Sequence, residues 1–307
     1  VYKRQVLPGH RNMNNDRAQG WGRSGIARVL STVICSALLW GSAFGKDDPQ
    51  PSAGENSGPA PSVASGPAVA IIIDDLGHSE RLGFRTADLP GSIACAVLPS
   101  TPFARGIAER CHAGGKQVIL HMPMQPTNHN ASLHPGMLRL GAKRTDFAAL
   151  LQASLDDIPH VAGVNNHMGS LLTRHITSMV WLMEELRGRP DLFYVDSRTS
   201  PVSVAHTVAQ SRGVPSLSRD VFLDHDPTEA AIRRQLAHGL AIAARDGSVV
   251  MIGHPYPRTL AVLEEILPSL TDRGFTLVDV ADMIRLQAHG EEAWPAYSYP
   301  LQTALKK

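Results

Sequence analysis

Two adjacent carboxylates, Asp74 and Asp75, end the apolar run AIIIDDLG that begins at Ala70. Neighbouring anions repel each other and resist desolvation, so such a pair at the end of a buried segment calls for a compensating charge. Candidate partners recur along the chain, each after an apolar stretch. They are His121 in VILHMPMQP, Asn165, Asn166 and His167 in GVNNHMGS, and Asp196 and Arg198 in FYVDSRTS. SRDVFLDH adds Arg219, Asp220, Asp224 and His225, and VVMIGHPYPRT adds His254. One carboxylate and two imidazoles form a three-ligand set for a divalent cation and leave a coordination position open. A cation would hold one aspartate as ligand while the other stays free as a base. A single Asp at a strand end is commonly a helix N-cap, and a lone His in a strand is commonly a hydrogen-bonded core residue. Recurrence at six strand ends is what points to a site. Of the imidazoles, His121 and His167 are the expected ligands. His225 reads as a helix-entry residue and His129 and His134 as exposed loop residues. His78, His112, His160, His175, His206 and His238 read as surface.

The elements that must position these groups alternate. Apolar strands are expected at Val69–Asp75, Ile93–Leu98, Gln117–His121, Val161–Asn165, Leu192–Asp196, Ser216–Leu223, Ser248–Gly253 and Thr276–Val278. Helical patterns lie between most of them. One starts at Thr145. Another has Ser200 as N-cap, Pro201 at its first position and Gly213 as terminator. A third has Asp226 as N-cap, with Glu229 at capping-box spacing. Strands alternating with helices imply a parallel sheet with right-handed crossovers, either a (β/α) barrel, regular or distorted, or an open doubly wound sheet. In either fold the C-terminal strand ends converge on one face, where active sites lie. No G-x-G-x-x-G or Walker loop is present, which weakens a nucleotide-binding reading.

Composition narrows the class. The 307 residues carry a net charge of +1 without a basic block in the body of the chain, which argues against a nucleic-acid partner. At 5% aromatic content, long stacking platforms are not expected. The first 45 residues have a signal peptide's order: scattered Lys and Arg, the apolar stretch VLSTVICSALLWGSAFG, then Lys46. Residues 46–67 are rich in Pro, Ser, Gly and Ala and read as a disordered linker. A folded domain is expected over 68–290 and a tail over 291–307. This predicts an exported, periplasmic or secreted protein that meets the membrane only during export. Cys95 and Cys111 are expected as two buried thiols, because packed strand and helix backbones are usually too far apart for a disulfide.

The segments IIIDDLG, LPSTPFA, HMPMQP, GVNNHMGS, DSRTS, RDVFLDH and IGHPYPRT, in this order, closely resemble the divergent polysaccharide deacetylase family, exported bacterial relatives of the NodB-type carbohydrate deacetylases. The resemblance spans roughly Val69 to Leu286. It implies a distorted (β/α) barrel of about seven to eight parallel strands with a metal site at their C-terminal ends. It also implies hydrolytic removal of N-acetyl groups from a polysaccharide or peptidoglycan fragment. Carried over residue by residue, Asp74 is the base, and Asp75, His121 and His167 hold a divalent metal, expected to be Zn2+. His254 protonates the leaving amine, with Asp196 or Asp224 orienting it; Asp196 is taken as the catalytic member. Asn165, Asn166, Arg198 and Asp224 are expected to face substrate. The chain departs from the NodB pattern at one point: the H-x-x-x-H offset from His121 falls on Gln125. The alternative is a non-catalytic envelope protein that binds glycan or a partner with a vestigial metal site.

Overall fold

A computed structural model describes residues 66–128, 134 and 136–288. The expected signal peptide and tail, and nearly all of the expected linker, lie outside these residues. Among the described residues no helix is long and apolar enough to cross a membrane.

Strand β1 (Ala68–Leu76) is the centre of the fold and is buried along almost its whole length. It pairs in parallel with β2 (Ile93–Val97) on one side and with β8 (Ser248–Gly253) on the other. The short β9 (Thr276–Leu277) joins it near its start. From β2 the sheet continues through β3 (Gln117–Met124), β4 (Val161–Met168), β5 (Phe193–Asp196) and β6 (Ser216–Ser218). From β8 it continues to β7 (Val221–Phe222), and every pairing is parallel. The order β6-β5-β4-β3-β2-β1-β8-β7 puts two consecutive strands at opposite edges. Only Arg219 and Asp220 link them, so the sheet must curl until its edges nearly meet. Arg219 N–H donates to Asp196 O on one side of the gap and Asp220 N–H to Val250 O on the other. The two edges are therefore joined by a two-residue link rather than by a ladder, and the expected strand Ser216–Leu223 is cut in two there.

Strand alternation sorts the apolar residues into two cores. Val69, Ile71 and Ile73 face outward with Ile107, Phe147, Leu182, Leu236 and Leu263 of the surrounding helices. Ala68, Ala70 and Ile72 face inward with Ala94, Ala96, Ile119, Phe193 and Val250. The alanines suit the tight inside of a small curled sheet. Helix α8 (Val280–Gln287) supplies Val280, Met283 and Ile284 to this inner core. It follows β9, which pairs with the first residues of β1, so it stops the end opposite the site. The outer helices are α1 (Glu80–Ala87), α2 (Ala104–Ala113), α3 (Arg144–Asp157), α4 (Ile176–Arg187), α5 (Ala205–Ser211), α6 (Glu229–Asp246) and α7 (Pro257–Ile266).

Two expected helix starts shift. α5 begins at Ala205, because Ser200 and Pro201 form a turn in which Ser200 Oγ accepts from Val202 N–H. α6 begins at Glu229; Asp226 sits one turn earlier and accepts from the N–H of Thr228, the residue that takes the N-cap position. Cys95 and Cys111 are free and buried, as expected.

Gly77 closes the turn after the paired aspartates at φ +131°, and a Cβ there would lie 2.0 Å from Thr101 Oγ1. Gly106, on the exposed face of α2, has nothing within 4 Å of a built Cβ. Gly77→Ala should therefore lower the melting temperature by roughly 3 °C or more, since left-handed strain alone is worth ~1–3 kcal/mol. Gly106→Ala should raise stability by ~0.5–1 kcal/mol. Thermal unfolding of both variants checks the pair; equal effects would refute the close approach at Gly77.

Candidate active site

β1 does not end as a regular strand. Ile73 pairs with Cys95 and Leu76 with Val97, so three steps on β1 face two on β2 and the strand bulges at the aspartates. Asp75 lies in the left-handed region at φ +57°, a conformation that Asp tolerates better than most residues. The bulge breaks the alternation that would send neighbours to opposite faces, so Asp74 and Asp75 both reach one site. Met168, the last residue of β4 (φ +54°), and Arg198 after β5 (φ +47°) are also left-handed, so the chain turns sharply at several strand ends around this face.

Asp75, His121 and His167 converge as expected. Asp75 Oδ1 lies 3.0 Å from His121 Nε2 and 2.8 Å from His167 Nδ1, and the two ring nitrogens are 3.2 Å apart. Among the described residues these three form the group that could hold a metal ion. Edges of this length are what three ligands, each about 2.1 Å from one shared cation, subtend. The donor chemistry also fits. His121 Nδ1 meets Asn165 Oδ1 at 2.7 Å, and Asn165 Nδ2 donates to Asp74 Oδ1 at 2.7 Å. Asn165 thus presents its oxygen to the ring and Nδ1 carries a proton, so loss of the Nε2 proton would leave a lone pair aimed at the centre. His167 and Asp75 are the more open members, with 17% and 34% side-chain exposure against 2% for His121.

The paired aspartates have opposite electrostatics. Burial pushes Asp74 above the ordinary carboxylate range, with Asp75 adding to the push and His121, His254 and Asn165 opposing it. Burial would also raise Asp75, but hydrogen bonds from His121 and His167, together with their charge, hold it well below that range. Burial alone would lower His121; the charges of Asp74 and Asp75 and the hydrogen bonds of Asp75 and Asn165 carry it up to about 9.

His254, on the far side of Asp75, has its Nε2 3.8 Å from Asp75 Oδ2. Its Nδ1–H donates to Asp224 Oδ1 at 2.9 Å, and its backbone N–H donates to Asp224 Oδ2 at 2.7 Å. Thr259 Oγ1 donates to the same Oδ2. Asp224, not Asp196, therefore orients this imidazole. Burial would lower His254, yet the Asp224 hydrogen bond and the charges of Asp74, Asp224 and Asp75 raise it. Phe222 and Tyr256 flank the ring at centroid distances of 5.3 and 5.5 Å.

Several expected roles change. Asp196 accepts from Arg198 N–H and Ser203 Oγ and shapes the loop after β5, where the sequence had suggested a partner for His254. Asp224 has no side-chain exposure and cannot face substrate. Asn165 is fully buried and positions Asp74 and His121. Asn166 accepts from Tyr194 Oη and Ser197 N–H and donates to Met168 O, so it holds two strand ends together. Arg198 follows β5 and is exposed. Gln125 Oε1 accepts from Leu140 N–H, and its carbonyl accepts from Leu171 and Leu172, which gives it a loop-fastening role. The aromatic pair around His254 went unnoticed in the sequence, although Tyr256 between two prolines in HPYP was a visible signal.

Residues 71–284 match the model of the divergent polysaccharide deacetylase family, and the chain belongs to that family. The uncharacterised protein YibQ of Escherichia coli K12 is 34% identical over 216 residues, covering 70% of this chain and 67% of that protein. An uncharacterised protein of Haemophilus influenzae Rd is 35% identical over 204 residues, covering 66% and 72% respectively. A crystal structure of an uncharacterised protein from Agrobacterium tumefaciens C58 superposes with a TM-score of 0.69 at 24% identity, covering 72% of this chain and 91% of that one. The fold is the curled, parallel-stranded half-barrel expected for the family.

Asp224→Asn should lower the pKa of His254 toward its ordinary value, because it removes the largest of the influences that raise it. NMR titration of the His254 ring protons measures this. The same substitution at Asp196 should leave His254 unmoved, and the reverse pattern would overturn the assignment.

Proposed function

We propose that this protein is a metal-dependent hydrolase that removes N-acetyl groups from an envelope or extracellular polysaccharide. The observation that carries this reading is the triangle of Asp75, His121 and His167, with a raised carboxylate on one side and a raised imidazole on the other. Asp75, His121 and His167 would hold the divalent ion, with zinc the best match to a mixed N/O set. When bound, the ion supplies Lewis acidity to the amide carbonyl and to water.

The chain's own groups then divide the proton work. Water adds its oxygen to the acyl carbon, and Asp74 takes the proton that this oxygen loses. The C–N bond breaks as His254 Nε2 gives a proton to the departing nitrogen. Acetate and a free amine result. Asp74 must be ionised and His254 protonated at one pH. A raised Asp74 sets the acid limb of the rate profile above the ordinary carboxylate value, and a raised His254 carries the alkaline limb above the ordinary imidazole value. Asn165 keeps Asp74 and His121 aligned through both steps.

Asp74→Asn should keep the fold and the metal while losing ~10²–10⁴-fold in turnover. Asp75→Asn should lose metal affinity first. Because His121 must shed a proton to bind an ion, zinc affinity should weaken by up to about tenfold per pH unit below 9. Elemental analysis, zinc titration and acetate release from an N-acetylglucosamine oligomer check these outcomes. A wild-type protein that holds its ion yet releases no acetate from any N-acetylated glycan favours the glycan-binding alternative.

We also propose export to the periplasm or beyond, supported by the basic–apolar–small order of residues 1–45. N-terminal sequencing of the protein from an envelope fraction should begin near Lys46. An intact N-terminus on cytosolic protein would refute export.

A further inference from the structure

Among the described residues the exposed large apolar side chains are Phe103, Leu140, Ile176, Val202 and Tyr256, between 39% and 63% exposed. They are not scattered. Phe103 lies between β2 and α2, Leu140 between β3 and α3, and Val202 between β5 and α5; Ile176 opens α4 after β4, and Tyr256 precedes α7 after β8. All five therefore follow the C-terminal ends of parallel strands, the end of the sheet that carries the candidate centre. Exposed apolar residues are ordinary singly, but a set confined to one end of a fold marks a contact surface. Three of the connections are also fastened together. Gln125 accepts from Leu140 N–H through its side chain and from Leu171 and Leu172 through its carbonyl, and Thr173 O accepts from Val204 N–H.

Each of the five has an exposed arginine within four residues: Arg105, Arg139, Arg174, Arg198 and Arg258 in the same order. Other surface arginines are paired, as Arg85 is with Glu264, Arg110 with Asp88 and Arg233 with Glu265. Among the described residues these five have no ion-pair partner. The exposed acids Asp226 and Glu229 stand instead at the start of α6, after a connection with no exposed large apolar residue. Asp146, in the first turn of α3, is outnumbered by Arg139 and Lys143 just before it. An apolar tip beside a free cation, repeated on five connections, is a poor match to a protein partner, because the centre of a protein interface is depleted in charge. It matches a lipid surface, where apolar side chains enter the acyl boundary while cations meet anionic headgroups.

We propose that this end of the protein docks on an anionic lipid bilayer, with the five apolar side chains entering the headgroup boundary and the five arginines meeting lipid phosphates. The proposal does not depend on the deacetylase reading. The full chain is mixed with vesicles of phosphatidylcholine alone or with roughly a quarter phosphatidylglycerol. Amide hydrogen exchange is then followed by mass spectrometry over the connections around Leu140, Ile176 and Val202, and over α8 at the opposite end. The anionic vesicles should slow exchange in the three connections and leave α8 unchanged, and the effect should fade as salt is raised. The N-terminal apolar stretch would hold the chain on both kinds of vesicle, but it gives no reason for these connections to be protected. Each arginine near an anionic surface strengthens binding about fivefold. Arg139→Glu combined with Arg174→Glu should therefore raise the lipid concentration for half-maximal protection ~25-fold or more. Ile176→Ser combined with Val202→Ser should raise it as well, and carries the test if the charge variant does not fold. Three results would overturn the proposal: no protection on anionic vesicles, equal protection on neutral ones, or protection of the same connections without lipid as protein concentration rises, which marks a contact between copies of the chain.

Discussion

Burying Asp74 beside Asp75 is the constraint around which this face of the protein is organised. Two carboxylates at the end of a central strand cannot both ionise there unless cations or donors meet them. Each requirement is met by a different neighbour. Asn165 donates to Asp74, while His121 and His167 close on Asp75. Removing one partner would leave the other charge uncompensated, and these contacts run between the ends of β1, β3 and β4. The bulge in β1 makes the arrangement possible, because a regular strand would turn one aspartate away.

The same environment gives the two acids separate jobs. Asp75 is held ionised by hydrogen bonds and positive charge, which suits a ligand. Asp74 is desolvated and raised, which suits a group that must accept a proton and later release it. His254 has a carboxylate of its own, Asp224, which raises it together with the charges of Asp74 and Asp75. One asparagine links the base to a ligand. Asp74, Asn165 and His121 form a chain of hydrogen bonds whose donor directions are fixed from end to end, since an ionised carboxylate can only accept.

What the sequence made legible was local. Apolar runs located the strands, with Ser248–Gly253 matching residue for residue, and their ends located Asp75, His121, His167 and His254. What it hid depends on strand order. Whether Asp196 or Asp224 serves His254 cannot be read from spacing. It follows from β7 lying next to β8 while β5 lies on the other side of β1. Asn165 and Asn166 looked alike as polar strand-end residues, but adjacent strand positions face opposite ways. Asn165 therefore joins the ligand side and Asn166 joins Tyr194 and Ser197. The start of α5 was misplaced because Ser200–Pro201 is a good helix opening by composition, yet the chain there is committed to the turn around Asp196.

The substitution of Gln125 for a second histidine follows from the same sheet geometry. β3 stays extended through Met124. At about 3.3 Å per residue, a side chain four positions beyond His121 lies about 13 Å further along the strand. A ligand there would need the chain to leave the sheet and fold back. β4 offers a nearer solution. His121 is in register with Asn165, and His167 is two residues on, on the same face of the adjacent strand. That step carries it one layer toward solvent, level with the bulged Asp75. Asn165 can then position the buried ligand while His167 supplies the outer one, and both come from a single strand in a single register. Gln125 fastens the loops over β3 and β4 through Leu140, Leu171 and Leu172. The departure from the H-x-x-x-H spacing thus leaves the second imidazole to come from the neighbouring strand, and three candidate ligands still converge.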